Sequence, residues 1–136
     1  MEKDCLHCIN TRKLVIIGCG FVGAACSFSI MQSGLFSEME LIDSDKAKAE
    51  GEALDISHGV PFAKPMKIYA GDYDDITNAS LVVVTAGANQ KDGETRLDLV
   101  KKNISIFNSI IPEIKKRSFN GILLIVANPV DILTTV

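Results

Sequence analysis

Three groups of residues in this chain have the types and spacing that chemistry requires. The first is Gly18-Cys-Gly-Phe-Val-Gly23, a G-x-G-x-x-G run, with Asp43 twenty residues beyond its third glycine. On a strand-to-helix turn such a run holds a pyrophosphate: Gly18 permits the tight turn, Gly20 lets phosphates approach the backbone, and Gly23 lets the helix pack close to the sheet. The helix start adds free N–H donors and the positive end of its dipole. A carboxylate at Asp43 accepts hydrogen bonds from ribose hydroxyls and repels a 2′-phosphate, which predicts NAD over NADP. The competing reading is a glycine-rich turn that binds nothing, and the acidic residue at this spacing argues against it. FAD sites use the same fingerprint, so the cofactor class rests on the rest of the chain.

The second group is Ala86 to Arg96, polar and punctuated by Gly87 and Gly93. Arg96 carries a guanidinium that is always charged and forks toward oxygen, and in a water-excluded pocket such a group stabilises developing oxyanion charge. The plainer alternative is a surface arginine pairing with Glu94 or Asp98, worth little. The third group is Asn128-Pro-Val-Asp131, where Asp131 could also serve as a helix N-cap. Cys5 and Cys8 have metal-ligand spacing, but no second pair follows, so no metal site is expected.

The elements that must position these groups are legible from hydrophobic periodicity. Lys13 to Ile17, Glu38 to Ile42, Lys67 to Ala70, Leu81 to Thr85 and Gly121 to Val126 read as five strands, mostly unalternated apolar runs. Asp45 to Ser57 has helical composition, and Gly71 to Asp75 reads as a polar turn. From Arg96, the residues Leu97, Val100, Ile104, Phe107, Ile111 and Ile114 recur at helical spacing, with Pro112 expected to bend the helix late. Asp131 to Val136 begins another helix, and Met1 to Arg12 reads as a leader. Strands alternating with helices predict an α/β fold, a doubly wound parallel sheet that binds ligands at the carboxyl ends of its strands.

Composition narrows the function classes. The 136 residues carry 14 Lys+Arg against 17 Asp+Glu, a net charge of −3, and are 47% hydrophobic, which fits one globular domain. With no basic stripe, nucleic acid is not an expected partner. Leu14 to Ser37 is a run of 24 residues without a charge, long enough to cross a bilayer. Gly18, Gly20, Gly23, Gly34 and several serines dilute it, so it reads as strand, turn and helix, and no membrane association is expected.

Four blocks resemble the N-terminal half of the L-lactate dehydrogenases, within the lactate/malate dehydrogenase family. They are the Gly18 to Gly23 run, Leu41-Ile-Asp43, Thr85-Ala-Gly-Ala-Asn-Gln-Lys-Asp-Gly-Glu-Thr-Arg-Leu97, and Val126-Ala-Asn-Pro-Val-Asp-Ile-Leu133. The resemblance implies a Rossmann-type sheet of order 3-2-1-4-5, NAD as cofactor, and reversible hydride transfer between NADH and pyruvate giving L-lactate, as in cytoplasmic glycolysis and fermentation. By motif, Arg96 resembles the lid arginine that polarises the keto group and is the one catalytic candidate. Gln90 matches the position that discriminates pyruvate from oxaloacetate, and Asn128 and Asp131 match substrate-side residues. Asn128 also faces the cofactor, whose groove, by similarity, is lined by Gly18, Gly20, Val22, Gly23, Asp43, Lys48, Tyr73, Gly87, Ala88, Ser109 and Val126. Tyr73 could equally be an ordinary turn aromatic. Asp92 departs from the proline that many relatives carry, which predicts a more flexible loop.

The family reaction also needs a histidine proton donor, an aspartate that orients it, and an arginine for the substrate carboxylate. Neither His7 nor His58 follows such a motif, and the sequence stops five residues after Asp131. The expectation is therefore a leader (1–12) and an incomplete NAD-binding domain (13–136), with the sixth strand and the substrate domain absent. Such a chain would bind cofactor without turnover, and would be homotetrameric only when complete. A malate dehydrogenase of lactate-dehydrogenase type, a non-catalytic nucleotide-binding module and a membrane-anchored protein are the alternatives.

Overall fold

The structure, a computed structural model, describes residues 10–135; Cys5, His7 and Cys8 lie outside them. The elements run β1 (Asn10–Ile17), α1 (Phe21–Ser33), β2 (Glu38–Ile42), α2 (Lys46–Ser57), β3 (Lys67–Ala70), β4 (Ala79–Val84), α3 (Arg96–Lys116), β5 (Ile122–Ile125) and α4 (Val130–Leu133). Short 3-10 helices occupy Val60–Phe62 and Tyr73–Asn78. The five strands form one parallel sheet in the order β3-β2-β1-β4-β5, as the resemblance implies.

Strand β1 sits at the centre and shows why an unalternated apolar run is needed there. Its side chains alternate between faces. Leu14 and Ile16 join Met31, Leu41, Ala49, Ile56 and Val83, while Val15 and Ile17 join Val82, Val84, Phe107, Ile110 and Ile114. The first layer takes residues of α1 and α2, the second residues of α3. The charge-free run from Leu14 to Ser37 is indeed strand, turn and helix, and among the described residues no helix is long and apolar enough to cross a membrane.

Helix ends follow local chemistry. Gly34 ends α1 in the left-handed conformation, and Asp45 caps α2 by accepting from the Lys48 N–H at 3.2 Å. Thr95 and Asp98 form a capping box at the start of α3.

Several expectations need correction. Strand β1 begins at Asn10 rather than Lys13, Asn10 pairing with Ala79 ahead of a register shift. The turn after β3 winds on as a 3-10 helix to Asn78, started by the Asp72 side chain accepting from the Asp74 N–H at 2.8 Å. The buried stripe of α3 is Asn103, Phe107, Ile110 and Ile114, while Leu97 is exposed. Strand β5 is an edge, and Ile122, Leu123 and Leu124 are exposed on it.

Candidate functional site

A cavity of about 530 Å³ opens where β1, β2 and β4 end, a size usual for small-molecule sites. The glycine run forms its floor. Gly18 has φ +107°, and a side chain there would meet the Ala86 nitrogen at 2.5 Å, so the turn fits only glycine. A Cβ on Gly23 would collide with the Gly18 carbonyl, which fixes how closely α1 approaches the turn. Thr85 secures the same turn from β4, its Oγ1 donating to the Gly18 carbonyl at 2.7 Å.

Gly20 behaves differently. It lines the cavity, and a Cβ built on it meets nothing within 4 Å. No internal contact demands glycine there, so the space it leaves is on the ligand side. The first helical bond of α1 runs from the Ala24 N–H to the Gly20 carbonyl at 2.9 Å, leaving the preceding N–H groups available for an anion. Turn, open glycine and helix start therefore fit the pyrophosphate of a dinucleotide.

Asp43 stands on the β2 side of the cavity. Its Oδ2 accepts from the Cys19 N–H at 2.7 Å, and its Oδ1 from the Asp45 N–H at 2.9 Å and the Ser44 hydroxyl at 3.3 Å. Partial burial alone would raise its pKa, but the backbone donors of Asp45 and Cys19, together with Lys48, outweigh it and hold the carboxyl below its ordinary range. Asp43 is thus a preformed anion that also ties the glycine turn to β2, with lone pairs left for hydroxyl donors. Burial, then Asp43 itself, pushes the neighbouring Cys19 thiol up to about 11, which leaves it inert near neutrality.

Of the residues expected from sequence, Gly18, Gly20, Asp43, Lys48, Tyr73, Gly87 and Ser109 line this one cavity. Val22 is exposed on α1, Gly23 lies beneath the floor, Val126 packs into the α1–α2 layer, and Ala88 is held from behind. The substrate-side candidates lie outside the cavity. Gln90 is exposed, its Nε2 donating to the Glu94 carbonyl at 2.8 Å, and Arg96 is exposed at the first position of α3. Neither carboxylate proposed as its partner takes Arg96: Glu94 pairs with Lys102, and Asp98 is engaged by Thr95. Asn128 and Asp131 are also exposed, and Asp131 sits in the first turn of α4 rather than at its N-cap, which is Pro129. His58 caps the end of α2 and does not line the cavity.

Asn103 escaped the sequence reading. Buried on α3, it accepts from the Ala88 N–H at 2.7 Å through Oδ1 and donates to the Asn128 carbonyl at 2.7 Å through Nδ2. It thereby joins the loop after β4 to the loop after β5. Its signal was an amide within the helical stripe, one turn before Phe107. Ile106 and Ile110, the apolar wall opposite the glycines, were likewise not singled out.

Residues 12–136 match the family model described as lactate/malate dehydrogenase, NAD binding domain. The chain belongs to the lactate/malate dehydrogenase family. Its cofactor is accordingly NAD. It is 58% identical over 127 residues to an L-lactate dehydrogenase of Priestia megaterium, covering 93% of this chain and 40% of that protein. With an L-lactate dehydrogenase of Acetivibrio thermocellus the identity is 53% over 125 residues, covering 92% and 39%. Among solved structures, the ligand-bound minor L-lactate dehydrogenase of Enterococcus mundtii superposes with a TM-score of 0.88 at 45% identity, covering 91% of this chain and 40% of that one. A lactate dehydrogenase from a Medee basin deep-sea metagenome library gives 0.85 at 48% identity, covering 90% and 40%. The chain thus spans about 40% of the length of these relatives.

Proposed function

We propose that this chain is the NAD-binding half, residues 13–136, of an L-lactate dehydrogenase that interconverts pyruvate and L-lactate, a cytoplasmic reaction of fermentative glycolysis. The observation that carries the reading is the joining, in one cavity, of a glycine turn with open space at Gly20 and an ionised carboxylate at Asp43. Bound there, NADH supplies the hydride. The chain's own residues bind and orient. The N–H groups at the start of α1 take the pyrophosphate, Asp43 takes the adenosine ribose hydroxyls and repels a 2′-phosphate, and Ile106 and Ile110 exclude water from the opposite wall.

Gln90, within the loop after β4, and Arg96, at the first position of α3, face solvent. The Arg96 guanidinium polarises the keto oxygen, and Asn128 meets the substrate from the loop after β5. The neutral Gln90 amide covers a methyl group but offers no charge to a second carboxylate, and burying that carboxylate unpaired costs several kcal/mol. This favours pyruvate over the oxaloacetate of a malate dehydrogenase. The histidine donor, its aspartate and the carboxylate-binding arginine are supplied by the remainder of the protein, so these 136 residues alone bind cofactor without useful turnover. The whole enzyme assembles as a homotetramer.

A calorimetric titration checks the cofactor reading: NADH saturates the protein, and NADPH does not at the same concentrations. Absence of saturable NADH binding overturns it. In the full-length protein pyruvate is the better substrate, and Gln90→Arg moves the kcat/KM ratio toward oxaloacetate by tenfold or more, as pairing a buried carboxylate implies. An unchanged ratio overturns the role of Gln90.

A further inference from the structure

Arg117, where α3 ends, is used by none of the steps above. Its Nε and Nη2 donate to Asp74 Oδ1 at 3.0 and 2.8 Å, and its Nη1 donates to the Glu113 carboxylate one turn back. Its guanidinium carbon stands 5.7 Å from the centre of the Tyr73 ring. Tyr73 and Asp74 open the 3-10 helix after β3, 43 residues away in sequence from Arg117 on the Asp74 side. A lone exposed ion pair is worth little, but here one planar cation joins two carboxylates and an aromatic face.

The position of this strap gives it a consequence. Tyr73 lines the cofactor cavity, as do Ile42 and Asp43, and α3 contributes Ile106 and Ile110 to the same lining, with Tyr73 and Ile106 packed on the layer that holds Ile110. Arg117 is not part of that lining. It ties the segment that bears Tyr73 to the helix that bears Ile106 and Ile110, at the side of the cavity that Asp43 also lines.

We propose that Arg117 is a positioning residue for the cofactor, fixing the width of the adenosine end of the cavity through Asp74 and Tyr73. This rests on the NAD reading above. The test measures dissociation constants of NADH and of AMP, which carries the adenosine half alone, for the full-length protein and for Arg117→Ala, Arg117→Lys, Tyr73→Ala and the Arg117→Ala/Tyr73→Ala double variant. In Arg117→Ala both constants rise by about three- to tenfold, within the range that coupled neighbours span. Arg117→Lys, which keeps the charge, recovers part of the loss. In the Tyr73→Ala background, removing Arg117 produces no further loss.

Wild-type affinity in Arg117→Ala overturns the proposal, as does an equal loss in both backgrounds, which marks an effect not routed through Tyr73. If Arg117→Ala does not fold, Asp74→Asn breaks the strap from its other end and is read by the same criteria. Failure of the wild-type protein to bind NADH overturns the cofactor reading, and the role of Arg117 falls with it. Normal wild-type binding with unaffected variants overturns the role of Arg117 alone.

Discussion

Asp43 shows what a single residue can disclose from sequence. Its type and its distance from Gly23 predict a ribose acceptor, and the structure shows this carboxylate accepting from the Cys19 N–H and so steadying the turn. Asp43→Asn is therefore expected to weaken NADH by roughly tenfold or more, the scale of hydrogen bonds to a charged group, while raising acceptance of NADPH. Parallel titrations with the two cofactors measure the change, and an unaltered preference would refute the assignment. Because the folded pKa of Asp43 lies below its ordinary 3.8, its contribution to stability is present above that value and is lost as pH falls through the folded pKa. Asp43 accordingly stays ionised between pH 5 and 8, so NADH affinity should not vary through this group across that range. Asn103 was not legible in this way. What makes it important is burial and two backbone partners on loops far apart in sequence, and neither is written in its immediate neighbours. Arg96 and Gln90 were proposed through a motif alone, since nothing in the loop's polarity separates them from solvated neighbours.

At the scale of elements, strand periodicity gave all five strands and their order followed from the resemblance, because each central strand must be apolar on both faces. Helix α3 shows where periodicity runs out. Its apolar face is wider than the surface it covers, so the buried stripe shifted to Asn103 and Ile110, and Leu97 stands clear of the sheet. Strand β2 conceals another feature that pattern could not reveal. Glu40 is 0% exposed between apolar neighbours, and Lys13, itself 3% exposed, lies 3.3 Å from its Oε2 while donating instead to the Asp75 carbonyl at 2.7 Å. Neither Glu40 oxygen accepts a hydrogen bond among the described residues. Burial pushes its pKa up to about 7 from an ordinary 4.5, with Lys13 pulling against that rise. The unfolded chain then loses this proton before the folded chain does. Stability should fall as pH rises from about 4.5 to about 7 and level off above it, by an amount on the order of 2–3 kcal/mol from this group. Denaturant unfolding of Glu40→Gln from pH 4.5 to 8 should lack this slope, and a slope equal to that of the wild type would place its source elsewhere.

For the molecule as a whole, the fold is built around β1, and the sheet is less well covered toward β5. Ile122 is 69% exposed and Leu124 48%, and the two share one face by strand alternation. Leu123, on the other face, is 39% exposed, and the hydrogen-bonding edge of β5 has no neighbouring strand among the described residues. On α1, Phe21 and Phe28 are exposed as well. An open edge that carries apolar side chains on both faces is a template for pairing, and edge strands normally carry charge, proline or a cover to prevent it. β5 carries none of these, since its four residues are Ile-Leu-Leu-Ile. The sequence had indicated this much, in that the unalternated run from Ile122 demanded burial on both sides and nothing beyond Val126 read as a strand. A polypeptide made of these 136 residues is therefore expected to self-associate at micromolar concentration. Ile122→Lys with Leu124→Glu, which charges one face of the edge and leaves the cofactor cavity untouched, should shift sedimentation toward monomer while NADH affinity stays as it was. Self-association undiminished in that variant would move its origin from β5 to the phenylalanines of α1, and a Phe21→Ser/Phe28→Ser variant would then be the one to become monomeric.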